Sequence, residues 1–249
     1  MTRVSFPNGA GRLKPRYRCG TPHESRSGMP KPWHTDFLLL RGLSRLMNEE
    51  MSPRLREGQC LVDMGCGEMP YRNLVVGRGA KYIGADLGDS CDATISPTGR
   101  VALPDDSADA VLSVQVLEHV FDLGAYCREI HRVLKSDGTL FLSTHGNWLY
   151  HPHPEDHRRW TRTGLVGDLS AHGFRVEDVR AVLGPLATTT ILRLTGYAYV
   201  LRRVPGVGAA LAGVLSMIMN VRAIVEDAIT PAQMRMDNAC IYWVRARPA

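Results

Sequence analysis

The stretch that decides the fold is CLVDMGCGEMPYR, at residues 60–72. A short apolar run, which predicts a buried strand, leads directly into a turn with two glycines. Such a turn lets the backbone approach a ligand, and the helix after it offers unpaired N–H groups. The next apolar run ends on Asp86, 19 residues after Gly67. At that spacing a carboxylate lies beside the turn and can accept both hydroxyls of a ribose, which favours an adenosine-containing cofactor.

The turn departs from the dinucleotide-binding pattern in one respect. The position of the third glycine is occupied by Met69 or Pro70. A pyrophosphate needs the close helix approach that this glycine allows, so its absence favours a ligand without phosphates. A plain structural turn is the alternative, and the position of Asp86 argues against it.

Outward from this stretch, short apolar runs alternate with segments of helical periodicity. This order predicts an α/β fold with a mostly parallel sheet covered by helices on both faces. The predicted strands are 60–64, 81–86, 93–95, 109–114, 139–144, 174–179 and 238–245. Predicted helices include 125–134, closed by a turn at 135–138, and 161–172. Between the last two strands, apolar segments at 182–201 and 207–229 predict a helical insertion over about 182–236.

Charge is concentrated at the start of the chain. Residues 1–30 carry six basic residues and one acidic residue, whereas the remainder carries 24 of each. We therefore expect a basic flexible tail at 1–30 and one domain at 31–249. A neutral domain is not typical of nucleic-acid-binding proteins, so no nucleic-acid partner is predicted.

The cysteine and hydrophobic patterns predict a cytoplasmic protein. The six cysteines form no C-x-x-C pair, and residues 1–30 contain no apolar run typical of a signal peptide. The nearest approach to a membrane span, residues 204–219, contains Pro205 and three glycines, so no transmembrane segment is predicted. Two alternatives stay open for the apolar insertion. One is peripheral membrane contact through 207–229, with nearby arginines at the head groups, and the other is burial against the domain or in a homodimer.

Four segments carry a family resemblance: VDMGCGEMPYR, YIGADL, LPDDSADAVLSVQVLEHV and REIHRVLKSDGTLFLST. With these segments in this order, residues 58–180 resemble class I S-adenosylmethionine-dependent methyltransferases of the small-molecule type. The resemblance implies a Rossmann-like sheet, mostly parallel with an antiparallel last strand. It also implies S-adenosylmethionine as the cofactor and S-adenosylhomocysteine as the product.

The resemblance further implies which residues contact the cofactor. The glycine turn and the acid before it would line the methionine part, and Asp86 would bind the ribose. The residues that end the fourth strand would lie beneath the sulfonium. The family often has an acid after the third strand; this chain has Pro97-Thr98-Gly99 there, so Thr98 or backbone would contact the adenine. The implied set is Asp63, Gly65, Cys66, Gly67, Asp86, Leu87, Thr98, Ser113, Val114 and Gln115.

Histidines follow the fourth and fifth predicted strands. His119 stands where related enzymes face the transferred methyl group, and a histidine there can remove a proton from a substrate hydroxyl. The alternative is a helix-start histidine bonded to the backbone. His145 closes the fifth strand and opens a loop that should overhang the pocket, because ligands bind beyond the carboxyl ends of parallel strands. We therefore predict a general base among His119, His145 and His157.

The same loop supplies candidate substrate contacts: Trp148, His151, His153 and Arg159. Similar methyltransferases have a P-x-D-x-x-R-W/Y-T segment here, so an architectural role for Asp156, Arg159 and Trp160 is the favoured alternative for those three. Histidine and carboxylate ligands could also bind a divalent metal. Two X-Pro steps keep the segment extended, so the ligands do not share a helix face and no metal is predicted.

These observations predict methyl transfer to a small or medium polar acceptor. A histidine base favours an oxygen acceptor, because a neutral amine needs no strong base. The resemblance is closest to bacterial enzymes of natural-product or glycan modification. The alternatives are N- or C-methylation, or a protein that binds S-adenosylmethionine without methyl transfer. The insertion is expected to cover the pocket and set substrate choice.

Overall fold

The computed structural model describes residues 30–88, 91–152 and 155–249. The predicted flexible tail therefore lies outside the described residues except for Pro30, and so does His153. The described residues form a seven-stranded sheet with helices on both faces. The predicted Rossmann-like class I fold is confirmed.

The sheet has the strand order β3-β2-β1-β4-β5-β7-β6. The first five strands are parallel, and β7 runs antiparallel to both of its neighbours. The strands are β1 (Cys60–Met64), β2 (Lys81–Asp86), β3 (Ala93–Thr94), β4 (Ala108–Val114), β5 (Leu134–His145), β6 (Phe174–Val182) and β7 (Ile241–Pro248). The bounds of β1 and β2 are those predicted, because both are short apolar runs bounded by turn residues.

In the part of the chain that the structure describes, seven α-helices connect and cover these strands. They are α1 (Phe37–Leu46), α2 (Arg72–Val76), α3 (Leu123–Val133), α4 (Arg162–Ala171), α5 (Pro185–Leu201), α6 (Gly208–Ile229) and α7 (Ala232–Asp237). A wider turn of π-helix, Met47–Met51, extends α1, and a 3₁₀ turn, Leu117–His119, follows β4. Thr161 caps α4 by accepting the N–H of Gly164 at 3.1 Å.

Several predicted boundaries are wrong, including the end of β6, which is at Val182 and not at 179. The turn predicted at 135–138 lies within β5, because β5 begins at Leu134 directly after α3 and pairs irregularly with β4 before Thr139. The last strand begins at Ile241 and not at 238, because α7 extends to Asp237. At β5 a helix and a strand adjoin without a separating loop, whereas at β7 the connecting residues 238–240 are not part of the strand.

The sheet is buried on both faces, and successive strand residues point to opposite faces. Leu61, Leu112 and Phe141 pack with α1, α2, α5 and α6. Their neighbours Val62, Val111 and Leu140 pack with α3 and α4. This two-sided burial accounts for strands that are apolar throughout instead of alternating.

One edge of the sheet gathers the carboxyl ends of the parallel strands. There β1, β2, β4 and β5 end at Met64, Asp86, Val114 and His145. The hairpin of α5 and α6 starts at the same edge, because Val182 at the end of β6 pairs with Ile241, which pairs with His145. The predicted helical insertion is therefore attached beside the site that this edge forms.

The insertion contains a helix that sequence analysis did not regard as a membrane-span candidate. Within the described residues, α6 is long and apolar enough to cross a bilayer, with a mean hydropathy of 1.7 over its most apolar window. Only 28% of that window is buried in the fold. The helix begins at Gly208, so Pro205 and Gly206 lie before it and do not interrupt it.

The cysteines that the structure describes are all free thiols: Cys60, Cys66, Cys91, Cys127 and Cys240. Burial raises the pKa of Cys66 to about 12, with the charges of Asp63 and Asp86 adding to the effect. Cys66 is therefore a neutral thiol that packs in the turn and not a nucleophile.

Candidate active site

The glycine turn after β1 is shaped by close backbone contacts. Gly65 has a φ of +78°, and a Cβ built there would lie 2.5 Å from Val116 Cγ2. Its N–H donates to the carbonyl of Ala85 at 2.8 Å, which ties the turn to β2. Gly67 also has a positive φ, +50°, but a Cβ there would meet nothing within 4 Å. Gly65 is thus required by both conformation and space, and Gly67 by conformation alone.

Asp86 lies against this turn, as its spacing predicts. One carboxylate oxygen accepts the N–H of Gly67 at 2.8 Å, and the other accepts the N–H of Leu87 at 2.7 Å. Leu87 itself is largely exposed beside it. A carboxylate fixed by two backbone donors at the end of β2 is placed to accept hydroxyl groups from a ligand at the turn.

Asp63 is a buried carboxyl group at the end of β1. It accepts a hydrogen bond from the Tyr82 hydroxyl at 2.5 Å. Burial raises the pKa of Asp63 to about 7, an effect that the Tyr82 hydrogen bond opposes and the charge of Asp86 reinforces. A cationic ligand group beside Asp63 would favour the ionised form, which fits the ammonium of an amino-acid moiety.

The end of β4 carries a strained residue. Gln115 has a φ of +55°, in the left-handed region that non-glycine residues rarely adopt. Its backbone N–H and its side-chain amide both donate to Ser143, at 2.9 and 3.0 Å. Its Oε1 is buried and has no hydrogen-bond partner among the described residues. This buried oxygen at the end of β4 can therefore accept a hydrogen bond from a ligand.

Two other predicted cofactor residues have partners elsewhere. The Ser113 hydroxyl is fully buried and bonds the Tyr126 hydroxyl of α3 at 2.8 Å, so Ser113 fixes α3 on the sheet. Thr98 lies in the exposed loop after β3 and bonds Ser96 at 2.8 Å. Val114, between Ser113 and Gln115, is partly buried at the end of β4. Cofactor contacts by Thr98, Ser113 and Val114 remain predictions.

Glu118 organises the histidines, although sequence analysis gave it no role. It is fully buried, and its Oε1 lies 2.6 Å from Nδ1 of His145. Its Oε2 accepts a hydrogen bond from the Thr144 hydroxyl at 2.8 Å, and its carbonyl accepts the N–H of His157 at 2.8 Å. The only sequence signal was its place beside His119 in LEHV.

The other histidines surround this pair. The ring of His151 lies 4.7 Å from that of His145 and 5.0 Å from that of His119, both edge-on. His119 Nδ1 contacts the carbonyl of Glu155 at 2.6 Å, which matches the backbone-bonded alternative for this residue. Of the site histidines that the structure describes, His145 and His151 lie near the Glu118 carboxylate, whereas the side chains of His119 and His157 contact Glu155.

Burial and hydrogen bonding set the charges in this cluster. Burial would raise the pKa of Glu118, but the hydrogen bonds from His145 and Thr144 hold it below its usual range. Burial lowers the pKa of His145, and Glu118 opposes that shift. Burial, followed by the charge of His145, lowers the pKa of His151 to about 4. At neutral pH Glu118 is a carboxylate beside neutral His145 and His151, so His145 Nδ1–H donates to Glu118 and its Nε2 is a proton acceptor.

The loop after His145 encloses an open cavity of about 270 Å³. Trp148 stacks on His145 with ring centroids 5.7 Å apart, and thereby holds the imidazole from one side. The cavity is lined by Trp148, Tyr150, Asp156, His157, Arg158 and Arg159. Of the predicted substrate residues, Trp148 and Arg159 line this cavity.

Arg159 is engaged within the loop. Its guanidinium donates to both oxygens of Asp156, at 2.5 and 2.6 Å, and to the carbonyl of Leu149 at 2.6 Å. Burial would raise the pKa of Asp156, but the Arg159 hydrogen bonds hold it well below its usual range. Trp160 is buried and donates to Asp168 at 2.8 Å. This arrangement favours the architectural alternative for Asp156, Arg159 and Trp160.

Glu118, His145 and His151 each offer one potential metal-ligand atom, and these atoms all lie within 4.8 Å of one another. The prediction of no metal rests on an extended segment whose ligands do not share a helix face. That argument does not exclude this cluster, because the loop folds back and brings His151 near the carboxylate of Glu118 on another segment. The prediction itself is open to a chelation test.

Comparison with known proteins identifies the family. A sequence profile of a methyltransferase domain matches residues 34–179, more than half of the chain. The protein therefore belongs to this methyltransferase family, which confirms the resemblance to class I S-adenosylmethionine-dependent methyltransferases. Its cofactor is S-adenosylmethionine.

The individual proteins that match this chain have low sequence identity to it. A probable S-adenosylmethionine-dependent methyltransferase of Mycolicibacterium smegmatis is 29% identical over 142 residues, which are 50% of this chain and 55% of the relative. A ubiquinone biosynthesis O-methyltransferase of Rhizobium etli is 26% identical over 48% of this chain and 57% of its own length. The chain spans about half the length of the curated relatives it matches. The solved structure of the cyclase SpnF has a TM-score of 0.55 at 19% identity, covering 84% of this chain and 80% of its own, and thus shares the fold.

The residues of the glycine turn fit this cofactor. Asp86 has the position for a ribose, and Gly67 leaves open space on the ligand side of the turn. Gln115 Oε1 is the leftover buried acceptor, and Asp63 is the carboxyl group that a nearby cation would ionise. The site thus offers partners for both the nucleoside and the amino-acid parts.

Proposed function

We propose that the protein transfers a methyl group from S-adenosylmethionine to a hydroxyl oxygen of a small or medium polar acceptor. The observation that carries this proposal is the Glu118–His145 pair, 2.6 Å apart, at the sheet edge that also carries the glycine turn. A hydroxyl must lose its proton as the oxygen gains the methyl group, and a carboxylate-oriented imidazole is a suitable base. The O-methyltransferase from Rhizobium etli, at 26% identity, supports oxygen as the acceptor atom.

The bound cofactor supplies an electrophilic methyl group. The chain's own residues align the acceptor and remove its proton. In this proposal His145 Nε2 takes the proton. The buried Glu118 carboxylate then stabilises the imidazolium by forming an ion pair with it. His119 and His157, the other predicted bases, contact Glu155 and orient the loop.

The acceptor is proposed to lie in the cavity of about 270 Å³ beside Trp148 and Tyr150. Its volume is enough for one sugar or aromatic ring. Aromatic side chains would stack on such a ring, while Arg158 and His157 supply polar contacts. We propose a place in natural-product or glycan modification, in the cytoplasm, on this basis and on the family resemblance.

Two variants and a control test the base. The assay is release of S-adenosylhomocysteine with paired phenolic and sugar acceptors, each offered as the free hydroxyl and as its O-methyl derivative. Glu118→Gln and His145→Gln should lower kcat by about a hundredfold or more while calorimetry shows unchanged S-adenosylhomocysteine affinity. His172→Gln, at the end of α4 and outside the cluster, should leave both unchanged. Unchanged kcat in both site variants would contradict the proposed base.

Calorimetry with and without EDTA separates the remaining alternatives. Cofactor binding and turnover that are both indifferent to EDTA support the metal-free base. Turnover lost with EDTA and restored by zinc or magnesium would make Glu118, His145 and His151 metal ligands instead. Cofactor binding without release of S-adenosylhomocysteine with any acceptor would favour a reaction other than methyl transfer.

A further inference from the structure

The outer face of α6 is an exposed apolar stripe. Six side chains at spacings of three or four residues lie on it, between 48% and 66% exposed: Leu211, Val214, Ile218, Val221, Val225 and Ile229. The opposite stripe of α6 is buried against α5 and α1, so the helix is already fixed in the fold. Contiguous exposed apolar surface of this extent marks a binding face.

The charges near the hairpin turn are basic, whereas the far end of α6 carries Glu226 and Asp227, with Glu226 paired to Arg222. Residues 179–225, which contain α5, the turn and most of α6, include five arginines and no acidic residue. At the turn between the helices, Arg202 and Arg203 are exposed together with Val204 and Val207. Arg203 lies over the ring of Tyr199, 4.2 Å from its centroid. Arginine and tyrosine beside exposed aliphatic side chains are typical of a membrane interface.

The segment that follows the basic residues 1–30 is bonded to α6. Asn220, on the buried side of α6, donates to the carbonyls of Pro32 and His34, at 2.8 and 2.9 Å. The start of the described chain is therefore fixed to the same helix that carries the stripe.

The sequence around the stripe favours one of its possible partners, which are a second copy of the protein, residues 1–29 of the same chain, and a lipid bilayer. Residues 204–221 contain no charged residue at all, whereas helix seams between protein copies are normally flanked by charged side chains. Residues 1–29 contain few large apolar side chains, too few to cover the stripe. A bilayer spanned by the hairpin would have to accommodate Arg193 in the middle of α5. A membrane surface satisfies both the apolar stripe and the surrounding arginines.

We propose that the outer face of the α5–α6 hairpin docks on the surface of an anionic lipid bilayer, with the stripe of α6 among the acyl chains and the arginines at the head groups. This inference is independent of the methylated atom and of the catalytic base. It concerns where the enzyme works and requires no bound acceptor.

Vesicle sedimentation of the full chain tests the proposal. The probes are vesicles of phosphatidylcholine and vesicles of equal parts phosphatidylcholine and phosphatidylglycerol. We expect binding to the anionic vesicles, weakened by salt, and a loss of about tenfold or more in the double variant Ile218→Asp, Val221→Asp. Val76→Asp, an equally exposed aliphatic site in α2, is the matched control and should bind like the wild type. The rise in Tm with S-adenosylhomocysteine verifies that each variant is folded.

Light scattering of the same samples measures whether the protein is a monomer or a dimer, and so distinguishes a membrane-docking face from a dimer interface. A monomer that binds anionic vesicles through Ile218 and Val221 supports the proposal. Absence of binding to either vesicle, or equal binding by the double variant, overturns it. A dimer that dissociates in the double variant would assign the face to a second copy and also overturn it.

Discussion

At the scale of single residues, the ionisation of Asp63 is predicted to affect the stability of the cofactor-free protein. Its pKa of about 7 lies above the ordinary value, so the folded state retains a proton that the unfolded state has lost between pH 4 and 7. The free energy of unfolding therefore falls as the pH rises through this range. Asp63→Asn, which keeps an acceptor for Tyr82, should stabilise the cofactor-free protein by about 2 kcal/mol at pH 8 and hardly at all at pH 4. Urea unfolding at both pH values measures this, and equal effects would contradict the buried ionised carboxylate.

Asp86 is predicted to contribute to cofactor affinity. Asp86→Ala removes the acceptor for the ribose hydroxyls and should weaken S-adenosylhomocysteine binding by about 1–3 kcal/mol. Glu68→Ala, an exposed acid on the same turn, controls for the loss of local negative charge. Calorimetry compares the two variants, and similar affinities would remove the ribose assignment.

At the scale of elements, the β1–α2 turn depends on the end of β4. Gly65→Ala would place a methyl group 2.5 Å from Val116 Cγ2 in a left-handed conformation. We expect it to cost about 2 kcal/mol or more of stability and to abolish measurable cofactor binding. Gly67→Ala has the positive φ without the collision and should cost about 1 kcal/mol. Thermal unfolding of the two variants separates the effect of the steric clash from that of the backbone conformation. Equal losses of stability in the two variants would argue against the Val116 contact.

At the scale of the whole molecule, the histidine cluster connects the ends of β4 and β5 to the loop that returns over them. The pKa of His151 is lowered from 6.5 to about 4, so the unfolded state binds a proton that the folded state does not. The stability it contributes is complete above pH 6.5 and is lost as the pH falls toward 4, by up to about 1.4 kcal/mol per pH unit.

His151→Gln should remove this slope. Because Asp63 acts in the opposite direction over an overlapping range, the informative quantity is the difference in unfolding free energy between wild type and variant at each pH. A difference that does not change between pH 7 and pH 5 would show that His151 titrates normally.

Structural features that depend on residues close together in the sequence were predictable from the sequence. The strands Cys60–Met64 and Lys81–Asp86 were predicted with their observed bounds, because buried parallel strands are short apolar runs between turns. The meeting of Asp86 with Gly67 followed from the same regularity, since a βαβ unit fixes where the second strand ends. The boundary between α3 and β5 was not predictable in this way, because no turn separates them.

The sequence by itself determined the class of fold, the cofactor turn and the acid beside it, because these depend on residues close in sequence and on regular geometry. Only the tertiary structure brought His145 and His151 to Glu118, 27 and 33 residues away, because β4 and β5 are parallel neighbours and the loop folds back over their ends. Only the tertiary structure also showed that α6 leaves its apolar stripe exposed. An apolar helical pattern has the same period whether its face meets a core or a membrane, so packing alone decides between them.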